Sequence, residues 1–231
     1  MFEITVRNSR RNKAERKFAP LTPTLSHRER GPERLPRAFF RRDPITLAKN
    51  LLGQKLVRVL HGQRIAGIIV ETEAYLGIPD AAAHTYRGRR TERVAAMWKD
   101  GGHAYVYFTY GVHHCMNIVA GEDGDPVAVL LRALEPVEGL DLMRKHRGQS
   151  ISDSNLCSGP GKLCQALAID RGLNGTDMTQ SDDLFIERTR RRAFPEDMIV
   201  AAPRIGVQYA GDWADKPLRF YIRDNHNVSR K

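Results

Sequence analysis

Cysteine is scarce in this chain. Its 231 residues include three, Cys115, Cys157 and Cys164, an odd count with no CxxC pair. That argues against a disulfide framework or a zinc ribbon and fits structural thiols in a reducing compartment. The run His113-His114-Cys115 gathers ligand-type residues. On a strand, however, His114 faces away from the other two, and no second cluster completes a metal site. Long apolar runs are also missing. None approaches the roughly 20 residues of a membrane span, and the N-terminus lacks the apolar stretch of a secretory signal. The expectation is a cytoplasmic protein with no membrane association, nucleoid-associated in a bacterium or nuclear in a eukaryote. There is no internal repeat. The segment Cys157–Lys162 only superficially resembles a phosphate loop: Leu156 stands in place of the first Gly, and Leu163 follows Lys162.

What is present suits one globular domain. The net charge is +10. Residues 1–34 carry nine basic and four acidic residues, so half of the excess lies there. Poor in periodic apolar positions and rich in Arg, Ser, Pro and Glu, this stretch reads as a disordered basic extension. Residues 35–231 form the domain. Their mild basicity is compatible with nucleic-acid binding without requiring it.

Asp43 and Pro44 form a helix start, followed by the apolar face Ile45, Leu47, Ala48, Leu51 and Leu52 before Gly53. The pattern predicts strands over 54–60 and 64–73, joined through His61-Gly62-Gln63. A short helix is expected over 91–98, then strands over 104–109, 113–119 and 126–133. Helices follow over 136–147 and 160–168, with later strands at 183–188, 204–209 and 217–222. Strands at hairpin spacing with scattered helices indicate an α+β fold: a single domain around a curved antiparallel sheet with surrounding helices.

The most informative stretch is Val70-Glu71-Thr72-Glu73-Ala74-Tyr75. Period-2 alternation puts Glu71, Glu73 and Tyr75 on one strand face. Two carboxylates and a ring on one face are costly unless they meet a cavity or polar partners. An edge strand with a solvated polar face is the plain alternative. A cavity holding a carboxylate base and a stacking ring suits hydrolysis of a bond to a flat heterocycle. Arg132, in the apolar run Val129-Leu130-Leu131-Arg132-Ala133, asks for a carboxylate partner.

Further segments follow in order: His84 after Pro79-Asp80-Ala81-Ala82-Ala83, then His103 to Ile118, Val129 to Pro136, Leu156 to Leu167, and Lys216 to Tyr221. In this order and spacing the chain resembles the alkyladenine (3-methyladenine) DNA glycosylase family of mammals and many bacteria, from about Leu35 to Arg223. The resemblance implies a monofunctional glycosylase. Such an enzyme flips alkylated or deaminated purines out of double-stranded DNA, hydrolyses the N-glycosidic bond and leaves an abasic site. It acts as a monomer with neither metal nor organic cofactor. Glu73 takes the place of the base that activates water, helped by Arg132 and by the backbone carbonyl of Ile205. Tyr75, His84 and Tyr107 would stack on the flipped base. Read alone, Tyr107 is a core strand residue and His84 a surface loop residue. Asn117 would disfavour the 2-amino group of normal guanine, and it equally suits an amide bond across strands. Tyr110, at the Tyr110-Gly111 corner, would fill the gap in the duplex, as apolar wedges do elsewhere. Apart from the resemblance, the helix start after Ser158-Gly159 suits a DNA phosphate with Lys162 assisting, and equally an ordinary loop-to-helix entry. Glu71 could pair with Glu73 as acid and base, as in sugar hydrolases, but a single working carboxylate is the expectation and Glu71 is read as structural. A non-catalytic damage-binding protein and a hydrolase of free nucleosides are the competing functions. Glu73 speaks against the first and Tyr110 against the second.

Overall fold

The computed structural model describes residue 1, residues 33–109 and residues 111–230. Most of the basic extension, residues 2–32, and the corner residue Tyr110 lie outside the described residues. Glu33 and Arg34, placed at the end of the extension by composition, already pair with the domain. The backbone of Arg34 pairs antiparallel with that of Glu187, and the carbonyl of Glu33 accepts the N–H of Arg188 at 2.7 Å.

After a single helical turn, α1 (Arg37–Phe40), the chain forms α2 (Pro44–Leu51) as its capping residues direct. The Asp43 carboxylate accepts the N–H of Thr46 at 2.8 Å, and Pro44 occupies the first helical turn. Strands β1 (Lys55–Leu60) and β2 (Gln63–Tyr75) are joined by His61 and Gly62. Both have positive φ, 49° and 75°, as a tight two-residue hairpin requires. A 3-10 turn over Glu92–Trp98 precedes β3 (Ala104–Thr109), β4 (His113–Val119) and β5 (Ala128–Glu138). Then come α3 (Leu140–Arg147), α4 (Asp153–Leu156), α5 (Pro160–Ala166), β6 (Leu184–Glu187), β7 (Ile199–Ala202) and β8 (Arg219–Ile222).

Among the described residues these strands form one eight-stranded sheet in which every pairing is antiparallel. Its main path runs β3-β4-β5-β2-β1-β6, and β7 joins through β8, which pairs with β2. This is the α+β, antiparallel architecture that the strand spacing indicated. Strand β2 is its axis. Residues 63–68 pair with β1, residues 71–73 pair with β8, and β5 runs along the other side.

Between those halves the register slips. Ile69 pairs with Leu134 and Glu71 with Ala133, while Thr72 pairs with Leu131, so Val70 and Arg132 fall between registered pairs. Such bulges reverse the alternation of faces. Before the slip Ile65 and Ile69 enter the main core; after it Val70 and Ala74 do. Thr72, on this face, donates to the carbonyl of Ala48 in α2 at 3.1 Å. The extra residue is therefore what turns Glu71, Glu73 and Tyr75 away from the core, which α2, α3 and α5 share with the sheet.

Two expected elements are corrected. Residues 136–138 belong to β5, and the helix begins only at Leu140, because Gly139 (φ 72°) redirects the chain. Pro136 is tolerated in the strand because it sits at another register shift, opposite Gly67. Residues 204–209 are not a strand. The strand is Ile199–Ala202, and past Pro203 the chain turns through Arg204–Val207 into a 3-10 turn, Gln208–Trp213. The apolar residues Ile205 and Val207 line a cavity there instead of a sheet.

Gly67 lets β2 and β5 approach closely: a Cβ there would lie 2.8 Å from the Cβ of Leu134 and 3.1 Å from the carbonyl of Glu135. Gly67→Ala should therefore cost about 1–3 kcal/mol, read as a lower urea midpoint with an unchanged denaturant slope.

Candidate active site

At the end of β2 the reversed face meets a cavity of about 290 Å³. Tyr75 stands on one side; His84, Tyr105 and Tyr107 stand on another; Leu130, Arg132 and Asn117 come from β5 and β4. Ile205, Gly206 and Val207 complete the wall, and Tyr209, 71% exposed, stands where the cavity meets solvent.

Glu73 is fully buried behind this wall. Its Oε1 accepts the N–H of Ile205 at 2.7 Å and faces Nη1 of Arg132 at 3.1 Å; its Oε2 accepts the Tyr75 hydroxyl at 2.9 Å. All three partners line the cavity. Burial pushes the Glu73 carboxyl above the ordinary glutamate range; Arg132, the Ile205 N–H and the Tyr75 hydroxyl pull it back in part. Arg132 feels the opposite pull. Burial works against its charge, and Glu73 and Glu71 more than restore it. The resemblance assigned Ile205 a role through its carbonyl, whereas the bond that ties it to Glu73 is made by its N–H.

The aromatic wall is an interlocked unit. His84 lies edge-on to Tyr107 with ring centroids 4.6 Å apart, and Tyr105 stacks on Tyr107 at 5.3 Å. Nδ1 of His84 is 2.8 Å from the Tyr105 hydroxyl. Burial, together with Arg93 and Arg89, lowers the His84 pKa and so favours the uncharged ring. Burial likewise pushes the Tyr105 hydroxyl up to about 12. Asn117 is opposite Tyr105 in the β3–β4 pairing, donates to its carbonyl at 3.4 Å and lines the cavity, so both of its anticipated roles are compatible with its place.

Sequence reasoning missed the support beneath Tyr75. The Arg204 guanidinium lies 4.6 Å from its ring centroid. It donates to both oxygens of the buried Asp80, at 2.6 and 2.9 Å, and to the carbonyl of Ala74 at 3.0 Å. Removing one partner of such a buried pair costs about 3–5 kcal/mol. The pair also fixes the turn that carries Ile205. Tyr105 was missed as well, although its i, i+2 spacing to Tyr107 placed both on one strand face. Asp80 and Arg204, 124 residues apart, left no such signal.

Lys162 is not among the cavity-lining residues; its Nζ donates to the Ser158 hydroxyl at 3.1 Å, while its neighbour Pro160 reaches the wall. Tyr110 lies outside the described residues. On one side of it Thr109 lines the cavity, and on the other Gly111 has φ 69°. The three cysteines are buried free thiols. Among the described residues no group of three or more His, Cys, Asp or Glu is arranged to hold a metal ion, and no helix is long and apolar enough to cross a membrane.

Comparison with known proteins places this site in context. A family model described as methylpurine-DNA glycosylase matches residues 38–226. A putative 3-methyladenine DNA glycosylase of Desulfitobacterium hafniense is 45% identical over 206 residues, covering 86% of this chain and 100% of the relative. The DNA-3-methyladenine glycosylase of Homo sapiens is 47% identical over 205 residues, 85% of this chain and 68% of its own length. The mouse protein of the same name is 46% identical over 208 residues, 86% of this chain and 60% of its own. With the match spanning the cavity, its aromatic wall and the buried carboxylate, the chain belongs to the methylpurine-DNA glycosylase family.

Proposed function

We propose that this protein excises alkylated and deaminated purines from double-stranded DNA, acting as a monomer by direct hydrolysis of the N-glycosidic bond. The observation that carries this reading is the buried carboxylate of Glu73, held between Arg132, Tyr75 and the Ile205 N–H at the back of an aromatic cavity.

The damaged nucleotide leaves the duplex, at a cost of a few kcal/mol that is smaller for weakly paired bases. Its base enters between Tyr75 and the His84–Tyr107 wall, where each aromatic stack contributes about 1–3 kcal/mol. A cationic alkylpurine gains further from the ring faces, and the lowered pKa of His84 disfavours an opposing charge there. Tyr110 fills the space left in the duplex, and Lys162 assists at a phosphate. Asn117 crowds the 2-amino group of normal guanine.

A water then attacks the anomeric carbon. Its oxygen forms the new bond, and the carbon–nitrogen bond breaks with its electron pair leaving on the base. Glu73 takes the proton from the water and stabilises the positive charge that develops on the sugar. Arg132 and the carbonyl of Ile205 orient the water. These steps draw on side chains, backbone and water alone.

Glu73→Gln retains the shape of the side chain and removes its basicity. Single-turnover excision should fall by about 10²–10⁴-fold, with binding of lesion-containing duplex retained. A damage-binding protein without catalysis would instead show no excision in the wild type. The base must be ionised to work, so the wild-type rate should rise with pH through the pKa of Glu73. That acid limb should centre above the ordinary glutamate range, as burial dictates; a limb at or below 4.5, the unshifted value, would contradict the assignment. Tyr110→Ser should slow excision more for a lesion in a stable pair than for the same lesion in a bulge, since only the first needs the gap held open. Equal slowing in both contexts would remove the wedge role.

A further inference from the structure

Glu71 is the second carboxylate of β2, and the reaction above does not use it. It is fully buried, and its oxygens accept three donors. Arg132 Nε at 3.1 Å and Arg219 Nη1 at 3.0 Å meet Oε1; the N–H of Ser229 meets Oε2 at 2.7 Å. A carboxylate so engaged is an anchor for the groups around it.

What it anchors is Arg132. The three nitrogens of that guanidinium go to three different residues: Nε to Glu71, Nη1 to Glu73 at 3.1 Å, and Nη2 to the Ser229 hydroxyl at 3.3 Å. The group is planar and rigid, so holding two nitrogens fixes the direction of the third. Arg219 in turn donates to the carbonyls of Pro203 and Arg230, each at 2.9 Å, and Val228 packs into the core. The segment 228–230 is thereby part of the support of the site, although it lines no part of the cavity.

We propose that Glu71 and Ser229 are positioning residues for excision: they hold two nitrogens of Arg132 so that only the third reaches Glu73. The proposal rests on Glu73 being the base. Its physical content is a division of charge. Freed from Glu71, Arg132 would turn both ends of its fork to Glu73. It would then occupy the oxygen that must take the proton and make the carboxylate less basic. The groups facing Glu73 are Glu71 and Tyr75 from β2, Arg132 from β5, Tyr107 from β3, Cys115 from β4 and Arg204 from the following turn. Only Glu71 changes charge in the variant Glu71→Gln.

The test is single-turnover excision of an alkylated purine by the full chain across pH, with binding of an abasic-site duplex as a control. Glu71→Gln should lower the plateau by up to about 10²-fold, as a small misplacement of a catalytic group does, and move the acid limb to lower pH. Glu71→Asp should return the limb toward its wild-type position while the plateau stays low. Ser229→Ala, which alters no charge, should lower the plateau without moving the limb. Abasic-site binding should stay at the wild-type level in all three. Wild-type plateaus and limbs in Glu71→Gln and Ser229→Ala would overturn the proposal. If Glu71→Gln does not fold, Ser229→Ala decides alone, and a wild-type rate there overturns it. A wild-type rate in Glu73→Gln would instead overturn the assignment of the base, a distinct result.

Discussion

A carboxylate with no exposure to solvent is the constraint on which the rest of this site depends. An unpaired buried charge is costly enough that the group would simply stay protonated and be useless as a base. Burial raises the pKa of Glu73, while a cation, a backbone N–H and a hydroxyl oppose the rise. Each of those donors needs its own support. Tyr75 rests against Arg204, Arg204 is paired with Asp80, and the same turn presents Ile205. Buried polar groups of this kind are sustained by the network they form together.

The sheet makes room for that network through its irregularity. An unbroken alternation that puts Ile65 and Ile69 in the core would send Glu71 and Glu73 there as well. The slip at Val70 exchanges the faces within one residue, and the complementary slip at Arg132 brings the cation opposite. One long strand thus feeds the core along its whole length and, past the slip, carries the site on its other face.

Much of this was legible in the sequence, and for physical reasons. The Asp43-Pro44 cap, the His61-Gly62 hairpin and the alternation of Glu71, Glu73 and Tyr75 are local patterns, and local patterns survive folding. The apolar segment Ile205–Val207 was misread as a strand because a cavity wall and a sheet face ask for the same side chains. The helix expected from Pro136 began late because a register shift lets a proline stay in β5. The Asp80–Arg204 pair and the Glu71–Ser229 contact were invisible because nothing in composition or period links residues so far apart.

That separation bears on how the site comes into being. Glu73 meets Ile205 across 132 residues, and Glu71 meets Arg219 across 148 and Ser229 across 158. Contacts this distant in sequence must overcome large loop-closure entropy before they contribute anything, and topologies rich in them fold slowly. The β1–β2 hairpin, closed by two residues, faces no such delay. The contacts that Ile205, Arg219 and Ser229 make with Glu71 and Glu73 are therefore expected among the last to form during folding. Until those distant segments dock, Glu71 lacks its contacts with Arg219 and Ser229, and Glu73 lacks the N–H of Ile205.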